Sequence, residues 1–573
     1  MNFKLRESLR MNLGDRWLRS RETARSPQFR IGVAIVAILA LAWFFAGRPL
    51  QAAKEEWRNS NYDAAIKSLD RWYKFRLRPA DYEHLFTAAY LAKGDRQGAE
   101  PWLRRMADRS PDWITIIDKE EVGKRLISQG LYENFLEYDT AVDQKGSSSE
   151  LVLYRAAAEL GSDRTRQAET TFSTLNRADV EPERYEALKN AIEQRKSGSF
   201  PLILDREGKT IASYQIENRD LVAVNSSFSP LVEETGGPTS FEPHLNDIGT
   251  STTVQTTLDP QIQRAALDAM GNRRGSLVAI DPATHEILAL ASTPGAGDAR
   301  NLAFEGQYEP GSVIKALTAM TAIDSTMDLN TVFPLMCQGF IVIEGKQFFD
   351  WAQHKEVASL DDAMAVSCNV AFGQMGLDLG AAALIQNARE AGFGNAVDLG
   401  LYEVGLGQIV GDVQTEYQTA NLAVGLNHYL TNTLHLAMIA DMIANRGLMT
   451  EPTLLKARRS ILGDEIPIVL QQHEPSRVAS AEAVAQAVQA MKAAVTHEAG
   501  TGRRAAIEGL GFAMKTGTAG DSQGCYNAVI IAVAPAENPR IAFAIIAEDV
   551  GKAELEGAAV TRAFLAAIRD RLR

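Results

Sequence analysis

The sequence predicts an α+β domain preceded by an all-α repeat-like segment and one transmembrane helix. Three observations predict this class. An uncharged apolar run lies near the N-terminus. Apolar residues then recur at three- and four-residue intervals, and from about residue 199 short strand patterns alternate with helical ones. At 573 residues the chain is too long for a single core, so we expect several units.

Residues 31–48 are predicted to form the transmembrane helix, because Ile31–Gly47 contains no charge and is just long enough to cross a bilayer. Residues 1–30 carry eight Lys or Arg against three Asp or Glu, a balance that the positive-inside rule keeps in the cytoplasm. The rest would lie outside a cytoplasmic (inner) membrane. A cleaved signal peptide is the alternative, but Leu50-Gln51-Ala52-Ala53 lacks a small-x-small cleavage pattern.

The charge distribution excludes one class of partner. The whole chain carries −13 and the tail +5, so the remaining residues carry −18, and a nucleic-acid ligand has no electrostatic support. Three cysteines, Cys337, Cys368 and Cys525, would lie in an oxidising compartment. The simplest arrangement is one disulfide and one free thiol, with the pair left open. Cys368 is expected to be a small buried filler.

Residues 53–198 contain a repeating helical pattern without catalytic motifs. Ser60–Ala65 recurs at Gly94–Ala99, and further matches follow at Gly130 and Gly161. The pattern resembles tetratricopeptide repeats, in which paired helices stack into one continuous core. An irregular helical spacer is the alternative. In both cases the segment offers a surface for a protein partner.

Residues 199–251 are predicted to be a short pedestal or linker, with a strand at Phe200–Leu204, a turn through Gly208 and a second strand. Residues 252–573 form the main domain. A helix begins within Thr256–Gln263, and Gly275–Pro282 with Glu286–Leu290 predicts a strand hairpin.

Three short motifs in the main domain together predict a serine acyl-transfer site. They are Ser312-Val313-Ile314-Lys315, Ser367-Cys368-Asn369 and Lys515-Thr516-Gly517-Thr518. A serine hydroxyl is a poor nucleophile until a nearby base accepts its proton and donors stabilise the oxyanion, so each motif needs the others. The order and spacing are therefore the evidence.

With the Asp205-Arg206-Glu207-Gly208 turn, these motifs resemble class B penicillin-binding proteins, of the serine β-lactamase and transpeptidase superfamily, from Phe200 to Arg573. The resemblance implies a β-lactamase/transpeptidase-like fold, with an antiparallel sheet flanked by helices. In the first two motifs it implies that Ser312 is the nucleophile and Lys315, one helical turn later, its base. It also implies that Ser367 relays a proton to the leaving amine and that Asn369 binds the substrate backbone.

The third motif is expected on a strand. The resemblance implies that Lys515 sets the field around Ser367, and that Thr516 and Thr518 bind the terminal carboxylate of the substrate. We expect Gly517 to let a peptide lie against the strand edge, because it has no side chain. The resemblance further implies that the backbone N–H groups of Ser312 and Thr518 form the oxyanion hole.

The function so implied is that of a membrane-anchored D,D-transpeptidase, which cross-links peptidoglycan stem peptides ending in D-Ala-D-Ala and binds β-lactams. Cell-wall synthesis proteins, such as a glycan polymerase, are the expected protein partners. No metal or organic cofactor is implied. The alternatives are a D,D-carboxypeptidase or, less favoured, a β-lactamase, and a non-catalytic β-lactam sensor or scaffold.

Some segments depart from the family pattern. Gly425-Leu426-Asn427 and Thr431-Asn432-Thr433-Leu434 replace strings expected on the acceptor side, and Cys525-Tyr526-Asn527 replaces an aromatic pair. Glu242-Pro243-His244-Leu245-Asn246 resembles the segment that carries the deacylating glutamate of class A β-lactamases. Because it precedes Ser312 by 70 positions, it does not predict that role.

Overall fold

A computed structural model describes residues 47–74, 78–107, 117–142, 148–196, 199–215, 220–223, 253–295, 298, 300–400, 403–466, 468, 470, 472–520, 526–550 and 553–573. In these ranges no helix is both long and apolar enough to cross a membrane. The predicted span, residues 31–48, falls outside them except for its last two positions. The chain divides into two compact units, Met1–Ile192 with Ser460–Asp464, and Glu193–Arg459 with Glu465–Arg573.

In the described residues the first unit consists of short helices, as the three- and four-residue periodicity predicts. Residues 47–58 are helical. The helices that follow are α1 (Tyr62–Tyr73), α2 (Pro79–Ala92), α3 (Arg96–Ala107), α4 (Lys119–Ser128), α5 (Tyr132–Val142), α6 (Ser149–Gly161), α7 (Thr165–Ser173) and α8 (Pro182–Lys196).

Left-handed residues mark a regular period in this unit. Ser60, Gly94, Gly130 and Asp163 all have positive φ and lie 34, 36 and 33 positions apart, each in the turn between two helices. A small residue then lets the paired helices approach, since a Cβ on Gly98 would lie 2.4 Å from the Tyr90 ring. This regularity favours stacked hairpins over an irregular spacer, and the kinship with tetratricopeptide repeats stays a prediction.

The second unit contains two larger sheets. Their strands are β1 (Ser199–Leu204), β2 (Thr210–Gln215), β3 (Asp220–Ala223), β4 (Thr253–Thr256), β5 (Gly275–Asp281), β6 (Glu286–Thr293), β16 (Leu455–Arg459), β17 (Glu465–Ile466), β19 (Ala513–Gly520), β20 (Tyr526–Ala534) and β21 (Ile541–Ala547). One sheet has the strand order β17-β16-β4-β1-β2-β3. The other, which is antiparallel throughout, has the order β19-β20-β21-β5-β6.

Shorter strands form two-stranded ribbons: β7 (Leu335–Cys337) with β10 (Lys355–Val357), β8 (Phe340–Ile343) with β9 (Lys346–Phe349), β11 (Ala396–Asp398) with β12 (Glu403–Gly405), β13 (Gln408–Ile409) with β14 (Tyr429–Leu430), and β15 (Leu448–Met449) with β18 (Ser476–Arg477). The unit's helices are α9 (Pro260–Met270), α10 (Leu302–Glu305), α11 (Lys315–Asp324), α12 (Leu360–Ala365), α13 (Asn369–Leu379), α14 (Ala381–Glu390), α15 (Glu416–Ala423), α16 (Thr433–Ala444), α17 (Ala481–Thr496) and α18 (Ala553–Ala567).

The five-stranded sheet is the core of this unit, because its central strands are apolar on both faces. Every residue of β21 is buried. Helices α9 and α18 cover one face, where Phe543 packs edge-on against Phe564 at a centroid distance of 5.1 Å. This α+β arrangement, an antiparallel sheet flanked by helices, confirms the predicted fold of the main domain. It also leaves β19, the strand of the third motif, at the sheet edge.

The predicted hairpins are present. β5 pairs with β6, and β1 pairs with β2 around a turn in which Asp205 Oδ1 accepts the N–H groups of Glu207 and Lys209 at 2.8 and 2.9 Å. The pedestal strands β1–β3 belong to the same sheet as β4, because β1 pairs in parallel with β4. The segment Glu242–Asn246 lies outside the described residues.

Candidate active site

Ser312 lies in a tight turn that leads into helix α11. Gly311–Ile314 is a 3₁₀ helix and α11 begins at Lys315, so Ser312 lies in the 3₁₀ turn that opens the helical segment. Gly311, with a φ of +56°, bends the chain just before it. Ser312 is partly exposed, whereas Lys315 is fully buried.

The second motif forms the loop between helices α12 and α13. Ser367 has a φ of +55°, a left-handed conformation that is uncommon for serine. Two backbone hydrogen bonds tie the loop to the end of α12, from Ser367 N–H to the Met364 carbonyl and from Cys368 N–H to the Ala363 carbonyl. Such conformations persist where the surroundings fix them, often at functional sites.

The structure brings the three motifs together at the Ser367 hydroxyl. Lys315 Nζ lies 3.2 Å from Ser367 Oγ, and Lys515 Nζ lies 2.8 Å from the same atom. Lys315 also donates to the Ser367 carbonyl at 2.8 Å and to Asn369 Oδ1 at 2.6 Å. Lys315 is 52 positions and Lys515 is 148 positions from Ser367 in sequence, so only the fold produces this convergence.

Burial makes both lysines easier to deprotonate. It lowers the pKa of Lys315 to about 8, against the opposing charge of Asp350. It also lowers the pKa of Lys515 well below its ordinary value, and the positive charge of Lys315 adds to this effect. Two fully buried ammonium groups on one hydroxyl would repel each other, so a neutral lysine amine becomes accessible near neutral pH.

β19 packs closely against the turn that carries Ser312. A Cβ on Gly517 would lie 2.8 Å from the Pro310 carbonyl oxygen, and one on Gly311 would lie 2.8 Å from the Thr518 carbonyl oxygen. Gly517 is therefore needed for contact between strand and turn, a reason that the sequence did not suggest. Thr518 is exposed on this edge strand, while Thr516 is buried.

The sequence did not predict the buried carboxylate of Asp350, which supports the second motif through hydrogen bonds to Cys368 and Val370. Its Oδ2 accepts the Val370 N–H at 3.1 Å and the Cys368 thiol at 3.0 Å. The neighbouring Phe349 carbonyl accepts Asn369 Nδ2 at 3.3 Å. Burial disfavours its ionisation, yet hydrogen bonds from His354 and Cys368 hold the pKa of Asp350 below its ordinary value. An isolated aspartate gives no sequence signal.

Thr501 is a second residue that sequence reasoning missed. The Thr516 hydroxyl donates to Thr501 Oγ1 at 2.7 Å, and Thr501 N–H donates to the Ala365 carbonyl at 3.0 Å. Thr501 thus connects β19 with the helix that precedes Ser367. The sequence Gly500-Thr501-Gly502, between a helix and a strand, was the signal that could have indicated a constrained loop.

The segment that begins at Gly425 has a clear structural role. Gly425 accepts the Gly311 N–H at 3.0 Å, and its φ of +82° requires glycine. A Cβ there would lie 2.0 Å from the Gly311 carbonyl oxygen. Asn427 N–H donates to Glu309 Oε1 at 3.0 Å. The segment therefore also supports the turn that carries Ser312.

The cysteines are partly described. Cys337 and Cys368 are buried free thiols, so the expected burial of Cys368 is confirmed. Burial, and then the charge of Asp350, raise the pKa of the Cys368 thiol. Cys525 lies outside the described residues, and the predicted disulfide therefore stays a prediction.

Comparisons with known proteins agree with this geometry. The family described as penicillin binding protein transpeptidase domain matches residues 275–569. The peptidoglycan D,D-transpeptidase PbpA of Mycolicibacterium smegmatis is 30% identical over 345 residues, which cover 52% of this chain and 67% of that protein. The peptidoglycan D,D-transpeptidase FtsI of Escherichia coli is 28% identical over 320 residues, covering 51% of this chain and 50% of that protein.

A solved structure extends the match to the fold. The D,D-transpeptidase domain of a peptidoglycan glycosyltransferase from Eggerthella lenta superposes with a TM-score of 0.55 at 25% sequence identity. The match covers 64% of this chain and 98% of that structure. The family match spans more than half of the chain and includes all three motifs. The chain belongs to the penicillin-binding protein transpeptidase family.

Proposed function

We propose that this protein is a serine D,D-transpeptidase, which cross-links peptidoglycan stem peptides ending in D-Ala-D-Ala and is acylated by β-lactams at Ser312. One observation carries the proposal. The Ser367 hydroxyl lies within hydrogen-bond distance of both Lys315 and Lys515, so a proton can pass between the two ends of the site. The match to named peptidoglycan transpeptidases supports this substrate class.

Acylation begins at the Ser312 hydroxyl. The neutral amine of Lys315 accepts its proton, and Ser312 Oγ attacks the carbonyl carbon of the penultimate D-Ala. The developing oxyanion binds the backbone N–H groups of Ser312 and Thr518. The substrate lies along the exposed edge of β19 as an added strand, with its terminal carboxylate at Thr516 and Thr518.

The tetrahedral intermediate then collapses and the C–N bond to the terminal D-Ala breaks. Ser367 delivers a proton to the leaving amine and regains one from the lysine pair, with Lys515 stabilising the negative charge that passes through the hydroxyl. The Asn369 side chain keeps Lys315 in place through its 2.6 Å hydrogen bond and offers its amide to the substrate backbone. An amine from a second stem peptide attacks the acyl-enzyme, and Lys315 again accepts the proton.

We place the enzyme on the outer side of the cytoplasmic membrane, anchored through residues 31–48. The apolar run Ile31–Gly47 and the basic tail before it support this topology. The helical unit supplies a surface for cell-wall synthesis proteins, such as a glycan polymerase that provides the strands to be cross-linked.

Labelling with a fluorescent penicillin tests the nucleophile. Wild-type protein is expected to gain one covalent adduct by intact mass, located on the peptide that contains Ser312, and Ser312→Ala is expected to gain none. Thr321→Ala is a matched control, because this hydroxyl donates to the Leu317 carbonyl within helix α11. An adduct that persists in Ser312→Ala would contradict the assignment.

A second assay separates cross-linking from hydrolysis. The protein is incubated with a D-Ala-D-Ala peptide, with and without an amine acceptor, and the products are identified by mass spectrometry. Amide product that depends on the acceptor supports the transpeptidase. Release of free peptide acid alone would favour a D,D-carboxypeptidase, and penicillin labelling without either product would favour a sensor.

A further inference from the structure

Behind the second motif, side chains with metal-ligating atoms converge in a buried cluster. Cys337 Sγ, Cys368 Sγ and an oxygen of Asp350 lie within 4.8 Å of one another. Both thiols donate to Asp350 Oδ2, at 3.5 Å from Cys337 and 3.0 Å from Cys368. The Asp350 side chain is fully buried. The His354 side chain is 7% exposed, and its Nε2 lies 3.2 Å from the other carboxylate oxygen.

We infer that Cys337, Asp350, His354 and Cys368 form a zinc-binding site. Two thiolates, an imidazole and a carboxylate are ligands that Zn²⁺ accepts in tetrahedral structural sites. The four residues come from three chain segments: the end of β7, the loop between β9 and β10, and the residue that caps helix α13. This inference goes beyond the proposed function, which needs no metal.

The surrounding lobe, residues 335–357, gives a structural reason for a metal. It is built from two two-stranded ribbons, β7 with β10 and β8 with β9, and such ribbons are marginal alone. Four of its large apolar side chains, Met336, Val342, Phe349 and Trp351, are more than half exposed. A lobe that buries so little apolar surface gains stability from a metal that joins its ends.

Metal binding is compatible with the electrostatics of the catalytic site. Zinc binding exchanges two thiol protons for one Zn²⁺, and both protons leave to solvent. The cluster with its carboxylate carries −1 before the exchange and −1 after it, so the field that it exerts on Lys315 changes little. The metal would fix the position of Cys368. Because Ser367 and Asn369 are its neighbours in the chain, it would also fix the backbone that carries these two side chains.

Metal content and variants test the site on the full chain, purified in detergent without chelator after growth with added zinc. Elemental analysis is expected to find about one zinc per chain in the wild type. Cys337→Ser and Cys368→Ser are expected to lose most of it. Cys525→Ser is the matched control and is expected to retain it. His354→Gln is expected to lower the zinc content as well, because it removes the imidazole ligand.

Two measurements on the wild type keep the test valid where a variant fails to fold. Replacement of zinc by Co²⁺ is expected to give thiolate-to-cobalt charge-transfer absorption. Chelation is expected to lower Tm by about 5 to 10 °C, and added zinc to restore it.

Three results would overturn the inference. The first is substoichiometric zinc in the wild type. The second is equal zinc in Cys337→Ser and wild type, which would mean adventitious binding. The third is a Cys337–Cys368 disulfide in non-reducing peptide maps of freshly purified protein. None of these readouts depends on acylation, so their failure is distinguishable from a failure of the proposed function.

Discussion

Two regions of the site each place a buried lysine on the same serine hydroxyl, and the two lysines have different surroundings. In the first region, the start of α11 with loop 366–370, Lys315 has oxygen acceptors at Ser367 and Asn369 and the charge of Asp350 nearby. In the second region, strand β19, Lys515 bonds Ser367 and the Thr516 carbonyl and is opposed by the charge of Lys315. The family resemblance assigns Lys315 as the base and Lys515 as the source of field. The comparison alone does not separate these roles, because burial lowers the pKa of both lysines.

The largest expected effect comes from exchanging each lysine for arginine. Arg stays protonated under all usable conditions, so it can replace a field but not a base. Lys315→Arg is expected to slow penicillin acylation by about 10²- to 10⁴-fold, as Lys315→Ala would. Lys515→Arg is expected to retain much more activity than Lys515→Ala. Stopped-flow acylation rates of the four variants measure this.

Equal losses in Lys315→Arg and Lys515→Arg would break the comparison, because both lysines would then serve as proton acceptors. Circular dichroism and Tm of each variant show whether the larger guanidinium has disturbed the fold.

The pH dependence of acylation sharpens the same point. Because burial lowers the pKa of Lys315 to about 8, its neutral form, and with it the acylation rate, should rise with pH and level off above about pH 8. In the unfolded chain this lysine keeps a pKa near 10.5, so between about pH 8 and pH 10.5 the unfolded state binds more protons than the folded state. The free energy of unfolding therefore rises with pH across this range. Below about pH 8 the lysine is charged in both states, and the cost of burying its charge lowers the stability in full.

Rates with a penicillin whose own groups do not titrate between about pH 6 and pH 10 measure this profile. A flat profile would contradict the assignment of Lys315 as the base. Lys515→Arg places a permanent positive charge beside Lys315, so the midpoint of its profile should lie at or below that of the wild type.

The contact between the two regions depends on glycine. Gly517→Ala places a Cβ 2.8 Å from the Pro310 carbonyl oxygen, a main-chain atom that cannot move without shifting the turn of Ser312. We expect a loss of about 1–3 kcal/mol in the free energy of unfolding and about a tenfold slower acylation. Gly405→Ala is the matched control, since a Cβ there meets nothing within 4 Å. Denaturant melts and acylation rates of both variants decide the question, and a wild-type rate in Gly517→Ala would contradict it.

The motif residues could be predicted from the sequence because each motif is local. Ser312 with Lys315 is one helical turn, and Lys515–Thr518 is one strand, so short windows contain their pattern. Their convergence followed only from family resemblance. Asp350 and Thr501 escaped prediction because their importance comes from burial and from partners on other elements. The role of Gly517 was assigned to substrate, whereas its Cβ position faces the protein.

The smallest expected effect concerns Thr501, the residue that links the two regions. Thr501→Val removes the acceptor of the Thr516 hydroxyl and the longer 3.4 Å bond from Thr501 Oγ1 to the Ala365 carbonyl. It keeps side-chain volume and the backbone bond from Thr501 N–H to the same carbonyl. The loss of the 2.7 Å hydrogen bond is worth about 1 kcal/mol, which corresponds to about a fivefold slower acylation. Thr501→Ser keeps the hydroxyl and is the control.

The test measures acylation rate together with Tm, since a purely structural role would lower Tm in Thr501→Val without slowing acylation. If Thr516 positions the carboxylate that β-lactams share with the peptide substrate, the loss should appear in the binding of penicillin rather than in the bond-forming step. A saturation curve of acylation rate against penicillin concentration separates these two steps. A lower limiting rate with unchanged half-saturation would place Thr501 with the first region, because it would then act through Ala365 on the loop of Ser367.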